Sequence, residues 1–361
     1  MKILHVVGAR PNFMKAAPVM DALEEDGAEQ VLVHTGQHYD ENMSRIFFEE
    51  LGMPRPDVNL GVGSGSHAFQ TGEVMKRIEP VIQDEASDVV LVYGDVNSTV
   101  ASALVATKLH IAVGHVEAGL RSFDRRMPEE INRMLTDQIS DLLLTHSPEA
   151  EENLVNEGVD RDKIHLVGNV MIDTLVRLLP RARESNALAD LGMDDGESYV
   201  LVTIHRPSNV DNRDRLVRIL GALEQIGREH TVICPAHPRT TGRMEEFGVE
   251  VNDGLIRIIE PIGYLDFLCL QDKAAAVVTD SGGIQEETTY LGVPCFTIRP
   301  NTERPVTISE GTNRLMGDQI DALAEAVNEA VRNPPSDIEP PEFWDGRAAH
   351  RISDLLRSYY G

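Results

Sequence analysis

The sequence predicts an α/β protein built from two doubly wound parallel sheets. Three observations carry that expectation. Short apolar runs alternate with helical patterns from one end of the chain to the other. The length, 361 residues, suits two domains of ordinary size better than a single core. Glycine-rich or charged loops directly follow the apolar runs, as they do where buried parallel strands end and ligands bind.

In the first half, strands are expected over residues 2–7, 30–35, 88–93, 111–116 and 142–145. Helical patterns fill 13–25, 41–51, 68–85, 98–109 and 129–140. The second half repeats the scheme, with strands over 199–204, 230–234, 255–259, 275–279 and 294–298 and helices over 213–228, 264–271, 284–291 and 320–332. Pro334-Pro335 and Pro340-Pro341 then break the chain before a last amphipathic helix over 347–360. The expected domains are residues 1–168 and 169–342, with residues 343–361 packing back on the first domain. Two such sheets facing each other create a central cleft lined by strand C-termini.

Composition excludes several classes of function. A hydrophobic fraction of 42% is that of a soluble enzyme, and no apolar run reaches the length of a membrane span. The opening Met1-Lys2-Ile3-Leu4-His5-Val6-Val7 is too short for a signal peptide and reads as a buried strand. Cys234, Cys269 and Cys295 lie in apolar segments without metal-like spacing, so they are expected as reduced core residues of a cytoplasmic protein. A net charge of −26 argues against nucleic acid or an anionic membrane as partner. Only 6 of the 33 basic residues are lysines. Two origins fit that balance. One is a cytoplasm at molar salt, where a Debye length of ~3 Å screens self-repulsion; the other is an acidic protein from a GC-rich genome.

The most informative stretch is Thr279-Asp280-Ser281-Gly282-Gly283-Ile284-Gln285-Glu286-Glu287. It follows an apolar run and opens a helix, so Ser281, Gly282 and Gly283 fall at a helix N-terminus, where free N–H groups and the helix dipole attract an anion. The glycines let a diphosphate approach the backbone. Glu287, one turn on from Gly283, can reach neighbouring sugar hydroxyls. After the first strand, Gly8-Ala9-Arg10-Pro11-Asn12-Phe13-Met14-Lys15 is neither a dinucleotide fingerprint nor a Walker loop. It instead offers two cations, Arg10 and Lys15, that could hold a diphosphate or steady its departure.

Asp95 and Glu117 each follow a buried run, in Gly94-Asp95-Val96-Asn97-Ser98 and Glu117-Ala118-Gly119-Leu120-Arg121. If those strands are neighbours, both carboxylates emerge at one sheet edge; an acid there is costly to bury without a purpose or a partner. In Met127-Pro128-Glu129-Glu130-Ile131-Asn132-Arg133, Pro128 starts a helix whose first turn favours acids, so capping alone could account for Glu129 and Glu130. His205-Arg206-Pro207-Ser208-Asn209 and His237-Pro238-Arg239 close two strands of the second domain. No histidine pair has zinc spacing, so metal binding is rejected. With no redox fingerprint either, no cofactor is expected. The constellation fits acid–base chemistry on a sugar with the nucleotide as leaving group.

These residues resemble the non-hydrolysing UDP-N-acetylglucosamine 2-epimerases almost from end to end. The matching motifs run from Val6–Lys15 through Gly36-Gln37-His38-Tyr39-Asp40, Gly63-Ser64-Gly65-Ser66-His67, Gly94–Thr99 and His115–Arg121. They continue through Met127–Arg133, Gly168–Asp173, His205–Asn209, His237–Arg239 and Asp280–Glu287 to Thr302-Glu303-Arg304-Pro305. The resemblance implies two Rossmann-like domains in the GT-B arrangement, a homodimer, and interconversion of UDP-GlcNAc and UDP-ManNAc. It implies catalytic roles for Asp95, Glu117, Glu129 and His205. Substrate and UDP contacts are implied for Arg10, Lys15, Arg133, Arg206, His237, Ser281, Gly282, Gly283, Glu287 and Arg304.

The implied mechanism is elimination of UDP to a 2-acetamidoglucal, then re-addition. Some bacterial members bind an activating substrate molecule through a Gln-His-x-x-Met-x-x-Gln segment. Gln37-His38-Tyr39-Asp40-Glu41-Asn42-Met43-Ser44 breaks that spacing, so hyperbolic kinetics are expected. A related 2-epimerase acting on UDP-2,3-diacetamido-2,3-dideoxyglucuronate shares much of the pattern. A glycosyltransferase of the same architecture and a non-catalytic nucleotide-sugar sensor are more distant alternatives.

Overall fold

A computed structural model describes residues 1–36, 50–194, 196–336 and 338–361. The Gln37-to-Ser44 segment and all but the end of the helix expected over 41–51 lie outside the described residues. The chain divides into two compact units, Met1–Arg177 with Glu342–Gly361, and Leu178–Pro341.

The first unit holds a seven-stranded sheet, every pairing parallel, in the order β3-β2-β1-β4-β5-β6-β7. Its strands are β1 (Lys2–Val7), β2 (Glu29–His34), β3 (Val58–Asn59), β4 (Val89–Tyr93), β5 (Ala112–Ala118), β6 (Leu142–Thr145) and β7 (Ile164–Leu166). The central strand β4, Val-Val-Leu-Val-Tyr, is buried at every position, as a parallel strand covered on both faces must be. The chain leaves β1 on one side for β2 and crosses to β4 on the other, so the strand order reverses between β1 and β4. That reversal opens a crevice at their C-terminal ends. In β5 the register slips between Val116 and Ala118, and the residue in the slip is Glu117, with φ +70°. A bulge of this kind re-aims one side chain.

The end of the chain belongs to this unit. The helix Ala348–Tyr360 packs against the helix Arg10–Glu25, with Ser353 Oγ donating to Asp26 Oδ2 at 2.6 Å. The buried Asp173 accepts the N–H groups of Ala348 and Ala349 at 3.2 and 2.6 Å, satisfying two of that helix's orphan donors. Trp344 Nε1 donates to the His146 carbonyl at 3.0 Å. Gly168, at φ +94°, admits no larger residue, because a Cβ there would lie 2.1 Å from the Phe343 carbonyl oxygen.

The second unit is a six-stranded parallel sheet in the order β10-β9-β8-β11-β12-β13. Its strands are β8 (Tyr199–Thr203), β9 (Thr231–Pro235), β10 (Ile256–Ile259), β11 (Ala276–Thr279), β12 (Cys295–Thr297) and β13 (Asn313–Leu315). Here the order reverses between β8 and β11. The two strands end level, Thr203 opposite Thr279, with their hydroxyls 2.8 Å apart.

The sequence places the first boundary at 168/169, whereas the chain divides at Arg177/Leu178, within the helix Val170–Arg183. The early turns of that helix are bonded into the first unit: Thr174 Oγ1 donates to the Met14 carbonyl at 2.5 Å, and Arg177 pairs with Asp21. Its last turn is bonded into the second, where Arg183 meets Asp272 at 2.8 Å. The helical pattern over 320–332 resolves into a 3₁₀ turn, Ile320–Ala322, and a helix, Leu323–Arg332. Among the described residues, no helix is long and apolar enough to cross a membrane.

Candidate active site

In the first unit the β1/β4 crevice is built around Asn12 and Lys15. Asn12 Oδ1 accepts the N–H groups of Gly8 and Ala9, both at 3.0 Å, and its Nδ2 donates to the Tyr93 carbonyl at 2.8 Å, tying the two loops together. Lys15 is buried and ion-paired with the equally buried Glu117. Its ammonium lies close to Gly94, where a Cβ would stand 2.8 Å from Nζ. The next residue, half-buried Asp95, pairs with Arg133, and its carbonyl accepts Asn132 Nδ2 at 2.9 Å. Adjacent strands thus deliver Asp95 and Glu117 to one sheet edge, Tyr93 lying opposite Val116.

The Glu129–Glu130 pair divides sharply. Glu130 is buried and its carboxylate accepts Ser122 N–H at 3.0 Å, Ser122 Oγ–H at 2.9 Å and Phe123 N–H at 2.9 Å, while pairing with Arg133 at 2.8 Å. Its acceptor sites are filled, so it holds a loop. Glu129 is exposed in the first turn of the helix Pro128–Ile139. Arg10 begins the helix Arg10–Glu25, and its side chain lies outside what the structure describes.

A buried network that sequence reasoning missed underlies both acidic loops. His115 Nε2 donates to the Gly94 carbonyl at 2.8 Å, and its Nδ1 lies 2.7 Å from Asp137 Oδ1. The other Asp137 oxygen accepts Gly119 N–H at 3.2 Å and pairs with Arg121 at 2.7 Å. The turn before Asp95 and the loop after Glu117 therefore share one support.

In the second unit the β8/β11 crevice is organised by Asp280, which is fully buried. Its carboxylate accepts the N–H of Arg206 at 2.9 Å, the N–H of His205 at 3.1 Å and Asn209 Nδ2–H at 3.0 Å. Its Oδ1 also lies 3.1 Å from His205 Nδ1. Burial pushes the Asp280 carboxyl upward, but the His205, Asn209 and Arg206 hydrogen bonds outweigh it and hold the group below the usual carboxylate range. The His205 ring is otherwise 42% exposed and leans on His237, ring centroids 5.8 Å apart. His237 in turn caps the helix Pro238–Phe247, its Nδ1 accepting Arg239 N–H at 3.1 Å.

Ser281 occupies the N-cap position of the helix Gly282–Leu291, so Gly282 and Gly283 open its first turn, with N–H groups that have no intrahelical acceptor. The Arg304 guanidinium lies directly over Gly282, where a Cβ would sit 2.7 Å from Nη1. It is clamped by Glu286 and Glu303, each at 2.9 Å. Arg206 approaches the same Glu303 at 3.9 Å. Glu287 is buried one turn further on and accepts the Tyr264 hydroxyl at 2.8 Å. Asp280, Asn209, Glu303 and Tyr264 were assigned no role from sequence. The signal for Asp280 was present: an acid directly after a buried run, as for Asp95 and Glu117.

The family model described as UDP-N-acetylglucosamine 2-epimerase matches residues 21–357. The chain belongs to that family. Among UDP-N-acetylglucosamine 2-epimerases, that of Methanocaldococcus jannaschii is 46% identical over 365 residues, covering 99% of each chain. The crystal structure of the M. jannaschii UDP-GlcNAc 2-epimerase in complex with UDP-GlcNAc and UDP superposes with a TM-score of 0.91 at 44% identity, over 99% of this chain and 100% of that one. Within the same family range, a UDP-2,3-diacetamido-2,3-dideoxy-D-glucuronate 2-epimerase of Pseudomonas aeruginosa is 42% identical over 360 residues, 99% of each chain.

Proposed function

We propose that this protein interconverts UDP-N-acetylglucosamine and UDP-N-acetylmannosamine. The observation that carries the reading is the pair Asp95 and Glu117, delivered by neighbouring strands to one crevice and each held against a cation, Arg133 or Lys15. The C2 proton of the sugar is not acidic, since no carbonyl is attached to that carbon. A carboxylate removes it only if the C1–O bond breaks with it and UDP carries off the electron pair, leaving a 2-acetamidoglucal. Protonation of C2 from the opposite face, with UDP returning to C1, gives the manno isomer.

In this reading Asp95, Glu117 and Glu129 supply the acid–base and oxocarbenium-stabilising groups. The glycine turn Ser281-Gly282-Gly283, with Arg10, Arg206, His205 and His237, receives the diphosphate; Glu287 meets the ribose. Arg304 and Arg133 act on the substrate through the neighbours they hold. Lys15 is ion-paired with Glu117 and borders the diphosphate. No cofactor takes part. Incubation with UDP-GlcNAc in D₂O is the test: deuterium at C2 of recovered substrate and traces of free UDP are expected, whereas epimerisation with full retention of the C2 proton sinks the mechanism.

The Pseudomonas relative supports a second reading, 2-epimerisation of UDP-2,3-diacetamido-2,3-dideoxyglucuronate. A panel of UDP-sugars separates the two by kcat/KM. We further read the protein as a cytoplasmic homodimer, in keeping with its free, buried cysteines, and as adapted to molar salt. Light scattering tests the dimer. Full folding and activity in dilute buffer would remove the salt reading.

A further inference from the structure

We infer that Asp280 is a positioning residue that fixes His205 as the Nδ1–H tautomer, so that Nε2 is the ring atom that exchanges a proton with the substrate. The inference rests on the reading above that His205 acts on the UDP-sugar. Asp280 lies at the end of β11 and His205 just beyond the end of β8, so the pair spans the crevice between these adjacent strands. A fully buried carboxylate is costly unless its acceptor sites are filled. Those of Asp280 are filled by two backbone N–H groups, the Asn209 amide and the His205 ring.

The backbone contacts fix where the carboxylate stands; the ring contact fixes what the imidazole can do. A carboxylate held ionised accepts and does not donate, so Nδ1, 3.1 Å away, carries the hydrogen. Neutral imidazole then bears its lone pair on Nε2. A second restraint comes from His237, whose ring lies 5.8 Å off at 37° and limits rotation of His205. On protonation the charge appears beside Asp280, and Nε2 gains the proton. In the elimination direction that proton passes from Nε2 to the departing β-phosphate oxygen as the C1–O bond breaks; on re-addition it returns to Nε2. Atoms and charge balance without any further reactant.

The direct test needs no substitution. In protein labelled with ¹⁵N at histidine, and with the His205 signals assigned by their loss in His205→Asn, neutral His205 is expected to show a protonated Nδ1 and a bare Nε2. The opposite tautomer would overturn the inference. In Asp280→Asn, kcat is expected to fall about 10²- to 10⁴-fold, the range for a lost acid–base group, with KM for UDP-GlcNAc little changed. Adding Asp280→Asn to His205→Asn is expected to cost nothing more, since one residue acts through the other. Unaltered kcat in Asp280→Asn, or a double variant whose losses multiply, would overturn it too. If His205→Asn alone retains full epimerase activity, the role of His205 in the proposed function fails, while the tautomer measurement still decides what Asp280 does.

Discussion

The two units share one topology but load their crevices differently. At the β1/β4 crevice, charges face one another: Lys15 meets Glu117 and Arg133 meets Asp95, three of these four side chains being at most 6% exposed. At the β8/β11 crevice the buried carboxylates are occupied elsewhere. Asp280 holds two backbone amides and a ring, and Glu286 and Glu303 hold Arg304. What remains at that edge is an exposed imidazole and a helix N-terminus. The first arrangement suits proton transfer at carbon, and the second suits gripping an anion with one imidazole beside it. A doubly wound sheet dictates where a ligand goes; the residues after each strand dictate what happens to it.

The strongest way to break this division is to remove the acids. Asp95→Asn is expected to lower turnover about 10²- to 10⁴-fold while changing UDP affinity less than about threefold. Steady-state kinetics and calorimetric titration with UDP check it; a collapse of UDP binding would mean that Asp95 itself holds the nucleotide rather than acting on the sugar. Glu117→Gln is expected to lose turnover similarly and to destabilise the fold by about 3–5 kcal/mol, because it strands the buried Lys15 ammonium. Urea unfolding measures that cost.

Acid should separate the units next. His5 and His34, both buried in the first unit's sheet, are held neutral by burial, their rings lowered to about 4. The unfolded chain protonates them near 6.5, so stability present above that pH is lost as pH falls towards about 4, on the order of 3 kcal/mol for each ring. Asp173 opposes them. Burial raises it to about 6, so the native state binds that proton first, and stability withheld at neutral pH returns as pH falls from about 6 towards 4, again on the order of 3 kcal/mol. The net expectation is a loss of about 3 kcal/mol between pH 6.5 and 4. Hydrogen exchange should show protection falling earlier in β1, β2 and β4 than in β8 and β11; the reverse order would contradict the assignment.

A smaller effect probes the second unit's grip. In Gly282→Ala the added methyl meets Arg304, which cannot yield easily while Glu286 and Glu303 clamp it. UDP affinity is expected to fall about tenfold, about 1.4 kcal/mol, with KM rising more than kcat falls. Unchanged calorimetric binding would place the diphosphate away from this turn.

How far the sequence was legible follows from the same physics. Strands such as β4 and β11 could be read because burial on both faces leaves an unbroken apolar run. The edge strands β3, β7 and β13 could not, being two or three residues long and mixed in character. The helix Pro238–Phe247 was hidden by the polar start Pro-Arg-Thr-Thr-Gly, since tertiary contacts stabilise what propensity does not. At the site, the rule that an acid after a buried run is costly singles out Asp95 and Glu117; Asp280 obeys it too, but the Ser-Gly-Gly turn that follows is the louder signal there. The difference between Glu129 and Glu130 was beyond pattern, because both positions satisfy helix capping and only the folded loop at Ser122 and Phe123 separates them.

The smallest expected effect tests whether buried charge, rather than surface charge, carries the contrast. Arg183 and Asp272 form a two-bond pair, at 2.8 and 2.9 Å, with the arginine 57% exposed. Arg183→Ala is expected to cost less than about 1 kcal/mol in dilute buffer. Part of that cost is not the pair itself, because each lost cation deepens a net charge of −26 and its self-repulsion. At molar salt, with a Debye length of about 3 Å, both contributions are screened and the cost should fall towards zero. Urea unfolding of the variant and the unaltered protein at the two salt levels gives the difference. A cost unchanged by salt would mean that the pair is shielded from solvent, and the surface of this protein would then have to be treated like its crevices.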